Sequence, residues 1–202
     1  MKISPYNIIY EDDSLIAVYK NKDVLTIKTD DIKTIHKNLY FYLSMYLSKK
    51  NEKCYLVHRL DYETSGIIIF AKKKEICTIL AKQFENREVE RYYEAVIAEK
   101  VDLKTIYNVI DNINNKEAIT LIKANNYINI GTALDIEIKT GRHNQIRKAI
   151  ASLNLTLLGD KRYSHNTNKR MYLNAYKLIF KEDERLSKIK FEIKPLWIIK
   201  EN

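Results

Sequence analysis

Between Gly131 and Lys139, the residues Leu134, Ile136 and Ile138 alternate strictly with Asp135, Glu137 and Lys139. Successive side chains of a strand point to opposite faces, so this spacing predicts a strand with one face in a core and the other in water. Such a strand needs a sheet around it, and the flanking segments supply one. Short β-branched runs at Ile8–Tyr10 and Leu15–Tyr19 flank the turn residues Asp12, Asp13 and Ser14 and predict a hairpin. Ile67–Ala71 is apolar throughout, hence a buried strand. Further strands are expected at Arg91–Ile97, Ile106–Val109 and Ala118–Ala124, with a closing hairpin from Tyr172–Phe180 and Ile189–Ile193. Helical spacing occurs in three places. Ile35, Leu39, Leu43 and Leu47 recur every four residues between Asp31 and Ser48, with Asp31 or Thr34 as the candidate cap; Lys74–Asn86 and Asn144–Leu153 follow the same rule, with Asn144 as the last helix's candidate cap. Runs of strands broken by few helices, without strict βαβ alternation, predict an α+β fold: a mainly antiparallel, mixed sheet flanked by helices.

At 202 residues and 46% hydrophobic the chain has material for a real core, and its length favours one domain over residues 1–202. The 35 lysines and arginines outnumber 26 acidic residues, a net charge of +9 that raises the question of an anionic partner. Cys54 and Cys77 lie outside any CxxC and have no nearby histidine pair, so neither a zinc site nor a disulfide framework is expected and they are read as reduced thiols. No apolar stretch approaches the ~20 residues of a membrane span, and the N-terminal segment reaches acidic residues before a signal-peptide core could form. A cytoplasmic monomer is expected, with no membrane partner.

Chemistry concentrates where the chain uses its scarce glycines. Three of the four, Gly66, Gly141 and Gly159, lie in "DYETSGII", "KTGRHNQIRK" and "LLGDKRYS", where polar residues meet element ends. Asp61, just before the Thr64-Ser65-Gly66 turn, is either a turn-former or a nucleophile or general base. Arg59 is its ion-pair partner or a surface charge. His58 lacks co-ligands for a metal, and Glu63 is too near in sequence to provide by itself the opposed carboxylates of a glycosidase. Arg147 sits beside the Ile146–Ile150 stripe, where partial burial would require an anion, either a protein carboxylate or a ligand phosphate. From Lys139 to Arg170 the basic residues Lys139, Arg142, Arg147, Lys148, Lys161, Arg162, Lys169 and Arg170 face only Asp160, so the segment is a solvated basic face or a binder of phosphate backbone. In "EVERYYEAVI", a solvent-facing Glu94 would turn Tyr93, Ala95 and Ile97 toward a core or a pocket.

Together these segments resemble the RluA-type family of pseudouridine synthases, which isomerise uridine in RNA. "HRLDYETSGIIIFAK" is similar to that family's catalytic stretch, "RYYEAV" to its tyrosine-bearing strand, "TGRHNQIRKAIASLNLTLLGDKRYS" to its arginine-bearing helix and Gly-Asp segment, and "MYLNAYKLIF" to its C-terminal strand region. The resemblance implies Asp61 as the catalytic carboxylate, Tyr93 as the residue packing on the target uracil, and Arg147 as the partner of the carboxylate. It implies Arg59 as the arginine that holds a flipped nucleotide's place. Arg142, Lys161, Arg162, Lys169 and Arg170 are the RNA-binding candidates. The implied substrate is structured RNA, ribosomal or transfer; a non-catalytic RNA-binding or RNA-folding factor on the same scaffold is the alternative. Two departures stand out. "YKNKDVLT" replaces the usual Asn-Lys-Pro-x-Gly, and Asn174 stands where a histidine is common. With its first strand near Ile8, the chain is expected to have no separate N-terminal RNA-binding domain.

Overall fold

The computed structural model describes residues 4–195. Ten strands and three α-helices form two compact units, one running to Val89 and including Ile179–Lys190, the other made of Glu90–Leu178 and the segment from Phe191.

In the first unit, β1 (Tyr6–Glu11) and β2 (Leu15–Lys20) form the expected hairpin. Asp12 makes its turn by accepting the backbone N–H groups of Ser14 and Leu15 at 2.7 and 2.9 Å. β2 pairs antiparallel with β4 (Ser65–Ala71), in a register that sets Lys20 opposite Gly66, and the short β3 (Tyr55–Leu56) pairs with β4 as well. Every residue of β4 is buried, as its unbroken apolar run requires. Helix α2 (Lys74–Glu85) lies where its spacing predicts.

Helix α1 is shorter than expected. It spans Leu39–Ser48 and buries Leu39, Leu43 and Leu47, while Asp31 caps only a one-turn 3-10 helix at Ile32–Thr34. The cause is Asn38, whose side chain accepts the Phe41 N–H at 2.9 Å. The next two N–H groups, of Leu39 and Tyr40, go to the carbonyls of Leu25 and Thr26, so the chain upstream has no helical ladder to join.

In the second unit the strand order is β9, β5, β8, β7, β6, with β5 (Glu90–Ile97), β6 (Ile106–Ile113), β7 (Lys116–Ile128), β8 (Gly131–Ile138) and β9 (Leu173–Phe180). The β5–β8, β7–β8 and β6–β7 pairs are antiparallel. Helix α3 (Gln145–Ser152) sets Ile146, Ala149 and Ile150 into the core that Leu134, Ile136, Ile122 and Ala95 share. β8 shows the predicted alternation, but its other face is only half exposed. That corrects the reading of Glu94. It is 1% exposed rather than solvent-facing, because Tyr176 is buried and bonded to Asp135, the register partner of Glu94, at 2.9 Å, and Lys194 approaches Glu94 at 3.8 Å. Burial, only partly offset by Lys194, pushes the Glu94 carboxyl up to about 7.

Candidate active site

The Asp61 loop is tied down through its backbone on both sides of the carboxylate. Thr26 Oγ1 accepts the N–H of Leu60 at 3.2 Å and donates to the Leu60 carbonyl at 2.7 Å, so one hydroxyl satisfies both peptide groups of the buried residue before Asp61. On the other side, Lys20 Nζ donates to the Tyr62 carbonyl at 3.2 Å. The Asp61 carbonyl itself closes the turn by accepting Thr64 N–H at 3.2 Å. His58 is structural here: its Nε2 accepts the Ile69 N–H at 3.1 Å and its ring stacks on Phe84 at 4.8 Å. Arg59 is exposed, whereas Asp61 is half-buried.

Lys20 was not among the residues the sequence marked. Its side chain is fully buried at the end of β2, and its ammonium also binds the carbonyls of Val24 at 2.8 Å and Asn21 at 3.2 Å. Burial pushes the ammonium down to about 7, against the pull of the Asp61, Asp23 and Glu63 charges. This is the segment that lacks the family's proline and glycine; Asp23 makes its left-handed turn at φ 60° without a glycine.

In the second unit, Arg147 is 3% exposed. Its guanidinium grips the fully buried Asp160 through two bonds of 2.8 Å, from Nε to Oδ2 and from Nη2 to Oδ1, and Nη1 reaches Asn144 Oδ1 at 3.1 Å. The backbone N–H groups of Arg162 and Tyr163 also bind Asp160, at 2.9 and 3.1 Å. Burial alone would raise the Asp160 carboxyl; Arg147 and these N–H groups outweigh it and hold it below the usual range. The sequence had registered Asp160 only as the one acid in a basic run, yet it is the anion that a buried guanidinium demands. Asn144 starts α3 in the left-handed conformation, φ 55°, and spends its side chain on Arg147 and the Tyr163 hydroxyl rather than on capping. The turn before α3 is instead pinned by buried Gln145, which accepts from Thr140 Oγ1 and Arg142 N–H and donates to Ile119 O and Thr120 Oγ1, all within 2.8–3.0 Å.

Tyr93 is half-buried on β5 and packs on the core cluster of Ala95, Ile97 and Ile136. Arg142 donates to the Glu117 carbonyl at 2.9 Å. Lys161, Arg162 and Lys169 are exposed, with Arg162 over the Tyr163 ring, and half-buried Arg170 lies over Tyr172. Gly159, at φ +79°, is required by close approach: a Cβ there would sit 1.7 Å from the Arg170 carbonyl oxygen. Both cysteines are free thiols, and among the described residues no three of His, Cys, Asp or Glu converge on a metal position. No helix of the described residues is long and apolar enough to cross a membrane.

Residues 14–152 match the family model of RNA pseudouridylate synthases, a span that contains Asp61, Tyr93 and Arg147 and stops before Asp160. The chain belongs to this family. It is thus an RNA pseudouridine synthase, an isomerase. An uncharacterized RNA pseudouridine synthase of Helicobacter pylori is 29% identical to it over 209 residues, which cover 95% of this chain and 79% of the relative. The dual-specificity RNA pseudouridine synthase RluA of Haemophilus influenzae is 31% identical over 188 residues, covering 84% of this chain and 82% of the relative. The solved structure of human RNA Pseudouridylate Synthase Domain Containing 4 superposes with a TM-score of 0.73 at 18% identity, over 96% of this chain and 90% of that one. This shows that the pseudouridine synthase fold is shared.

Proposed function

We propose that this synthase isomerises specific uridines in structured ribosomal or transfer RNA, with Asp61 as the catalytic carboxylate. The observation that carries the assignment is the construction of its loop: the peptide groups on either side of Asp61 are fixed by Thr26 and Lys20, which holds a half-buried carboxylate at a defined place. The reaction breaks the C1′–N1 bond, rotates the freed uracil and forms C1′–C5; the C5 hydrogen leaves to solvent and N1 gains a proton. An ionised carboxylate can attack the sugar or take a proton from it, and either role needs no cofactor. Tyr93 is assigned to retaining the detached base by packing on it, and Arg147 to keeping Asp61 charged. Arg59 is assigned to filling the space that the flipped nucleotide leaves. The base must leave its stack, at a cost of a few kcal/mol that is smallest in loops and bulges. The basic residues Arg142, Lys161, Arg162, Lys169 and Arg170 suit the phosphate backbone, which positions the RNA without specifying its sequence.

Asp61→Asn tests the assignment against a non-catalytic RNA factor. The neutral isostere keeps the shape and loses the nucleophile, so release of tritium from C5-labelled uridine RNA falls to background while RNA affinity stays within about three-fold. Turnover comparable to the parent would remove Asp61 from the mechanism, and a parent chain inactive on both RNA classes would overturn the ribosomal-or-transfer substrate.

A further inference from the structure

A second surface of the first unit has the makings of a nucleic-acid groove. The groove, of about 1120 Å³, is lined by Lys33, Lys37 and Lys49 on one hand and by Tyr42, Met45 and Tyr62 on the other. Helix α1 builds one wall: Tyr42, Met45 and Lys49 recur at spacings of three and four residues, alongside the buried stripe of Leu39, Leu43 and Leu47. Tyr46 stiffens this wall, because its hydroxyl donates to Glu11 at 2.9 Å and Lys50 lies over its ring at 4.5 Å. The 3-10 turn at Ile32–Thr34 adds Lys33 and Thr34 to the lining. All three lysines are exposed, and among the described residues none has a carboxylate within ion-pair distance. The one acid on the lining, Asp23, is paired with Lys22. Met45 and Tyr62 are 50% and 46% exposed and share this lining, so they offer accessible apolar surface to a ligand seated in it. Tyr62 directly follows Asp61, so the groove runs up to the loop described above.

We propose that this groove binds single-stranded RNA flanking the target uridine, with phosphates on Lys33, Lys37 and Lys49 and bases against Tyr62, Met45 and Tyr42. The inference rests on the RNA-isomerase reading and adds a binding track remote in sequence from the basic segment 139–170. Unpaired lysines beside exposed aromatic faces are the combination that binds a flexible strand without reading its sequence, because every base offers a π-face. A duplex would offer phosphates alone and leave the tyrosines unused.

The experiment compares the triple variant Lys33→Gln/Lys37→Gln/Lys49→Gln with a charge-matched control, Lys100→Gln/Lys104→Gln/Lys116→Gln, whose lysines are exposed and outside the groove. The probe is a short fluorescein-labelled oligouridylate, titrated by anisotropy across a salt series with the full chain. The groove variant should lose about ten-fold or more in affinity, and its plot of log affinity against log salt should flatten by about 2, at ~0.7 per lost phosphate contact on a single strand. The control should change by less than about three-fold. Ultraviolet crosslinking should attach the probe to peptides carrying Tyr42, Met45 or Tyr62. Equal losses in the two variants, no loss in either, or crosslinks confined to residues 139–170 would overturn the groove. Tritium release by the parent separates the two claims: an active parent whose groove variant binds like it overturns the groove alone.

Discussion

The Asp61 loop and the Arg147 segment are both held by buried polar partners, but by opposite means. Around Asp61 the anchors grip main chain: Thr26 takes both peptide groups of Leu60, and Lys20 takes the carbonyl of Tyr62. Around Arg147 the anchors are side chains, a two-bond ion pair with Asp160 reinforced by Asn144. Main-chain anchoring sets where a carboxylate sits without prescribing its partner, as suits a group proposed to form and release a bond to sugar. Side-chain anchoring freezes a guanidinium in place, as suits a fixed positive charge. The consequence is a difference in fragility: loss of an anchor should cost the first region mainly turnover and the second mainly stability.

The largest effect expected is therefore from Asp160→Ala. It takes from a guanidinium that is 3% exposed the carboxylate it grips through two bonds, at a cost of about 3–5 kcal/mol in urea unfolding. Replacing both partners, as Arg147→Met with Asp160→Leu, should recover a substantial part of that loss, because removing one side of a buried pair costs more than replacing the whole pair with apolar groups. A cost below about 1 kcal/mol for Asp160→Ala would break the contrast. Arg147→Ala, where it folds, should lower turnover far more than RNA affinity, whereas neutralising Arg162, Lys169 and Arg170 together should do the reverse.

Next in size is Lys20→Met. Removing the ammonium frees the carbonyls of Tyr62 and Val24, and a displacement of about 1 Å in the Asp61 loop is enough for a ~10²-fold fall in turnover. RNA affinity should change much less. The same substitution has a pH signature. In the unfolded chain the lysine keeps its proton up to about 10.4, but in the folded chain it releases it near 7, so between those values the unfolded state binds more protons. Lysine's contribution to stability is thus complete above the unfolded value and is lost as pH falls toward 7. Unfolding curves of parent and variant should diverge in the parent's favour as pH rises through that window; a constant difference would show that the buried group does not titrate there.

Strands and helices were legible wherever burial followed a single period. β4 and β8 announce themselves, and α2 and α3 lie within a residue or so of their expected bounds. Two misreadings, of α1 and of Glu94, depend on contacts distant in sequence. Helix α1 starts late because Leu25 and Thr26 take its first N–H groups, and Glu94 is buried because Tyr176 and Lys194 lie over its face. The candidate site divides in the same way. Asp61, Tyr93 and Arg147 stand in local motifs, but Lys20, Thr26 and Asp160 act on residues 42, 34 and 13 positions away. Lys20 left one trace, a lysine ending the apolar run Leu15–Val18, and Asp160 another, an acid alone among eight cations. Thr26 left none.

Thr26 therefore gives the smallest but cleanest test of main-chain anchoring. Thr26→Val preserves shape and removes one hydroxyl, leaving the N–H and the carbonyl of buried Leu60 without their partner. Losing such bonds costs about 1–3 kcal/mol. If the hydroxyl only supported the fold, that would be the whole effect, and the folded fraction would turn over normally with an unchanged pH profile. If it positions Asp61, the folded variant should also show turnover reduced by several-fold with KM nearly unchanged, since the loop would still bind RNA but present the carboxylate poorly. Thr26→Ser keeps the oxygen and should restore turnover to near the parent level even where the missing methyl lowers stability. Variants that lose stability in step with each other while both keep full turnover would leave Lys20 as the only anchor of the loop that matters to the reaction.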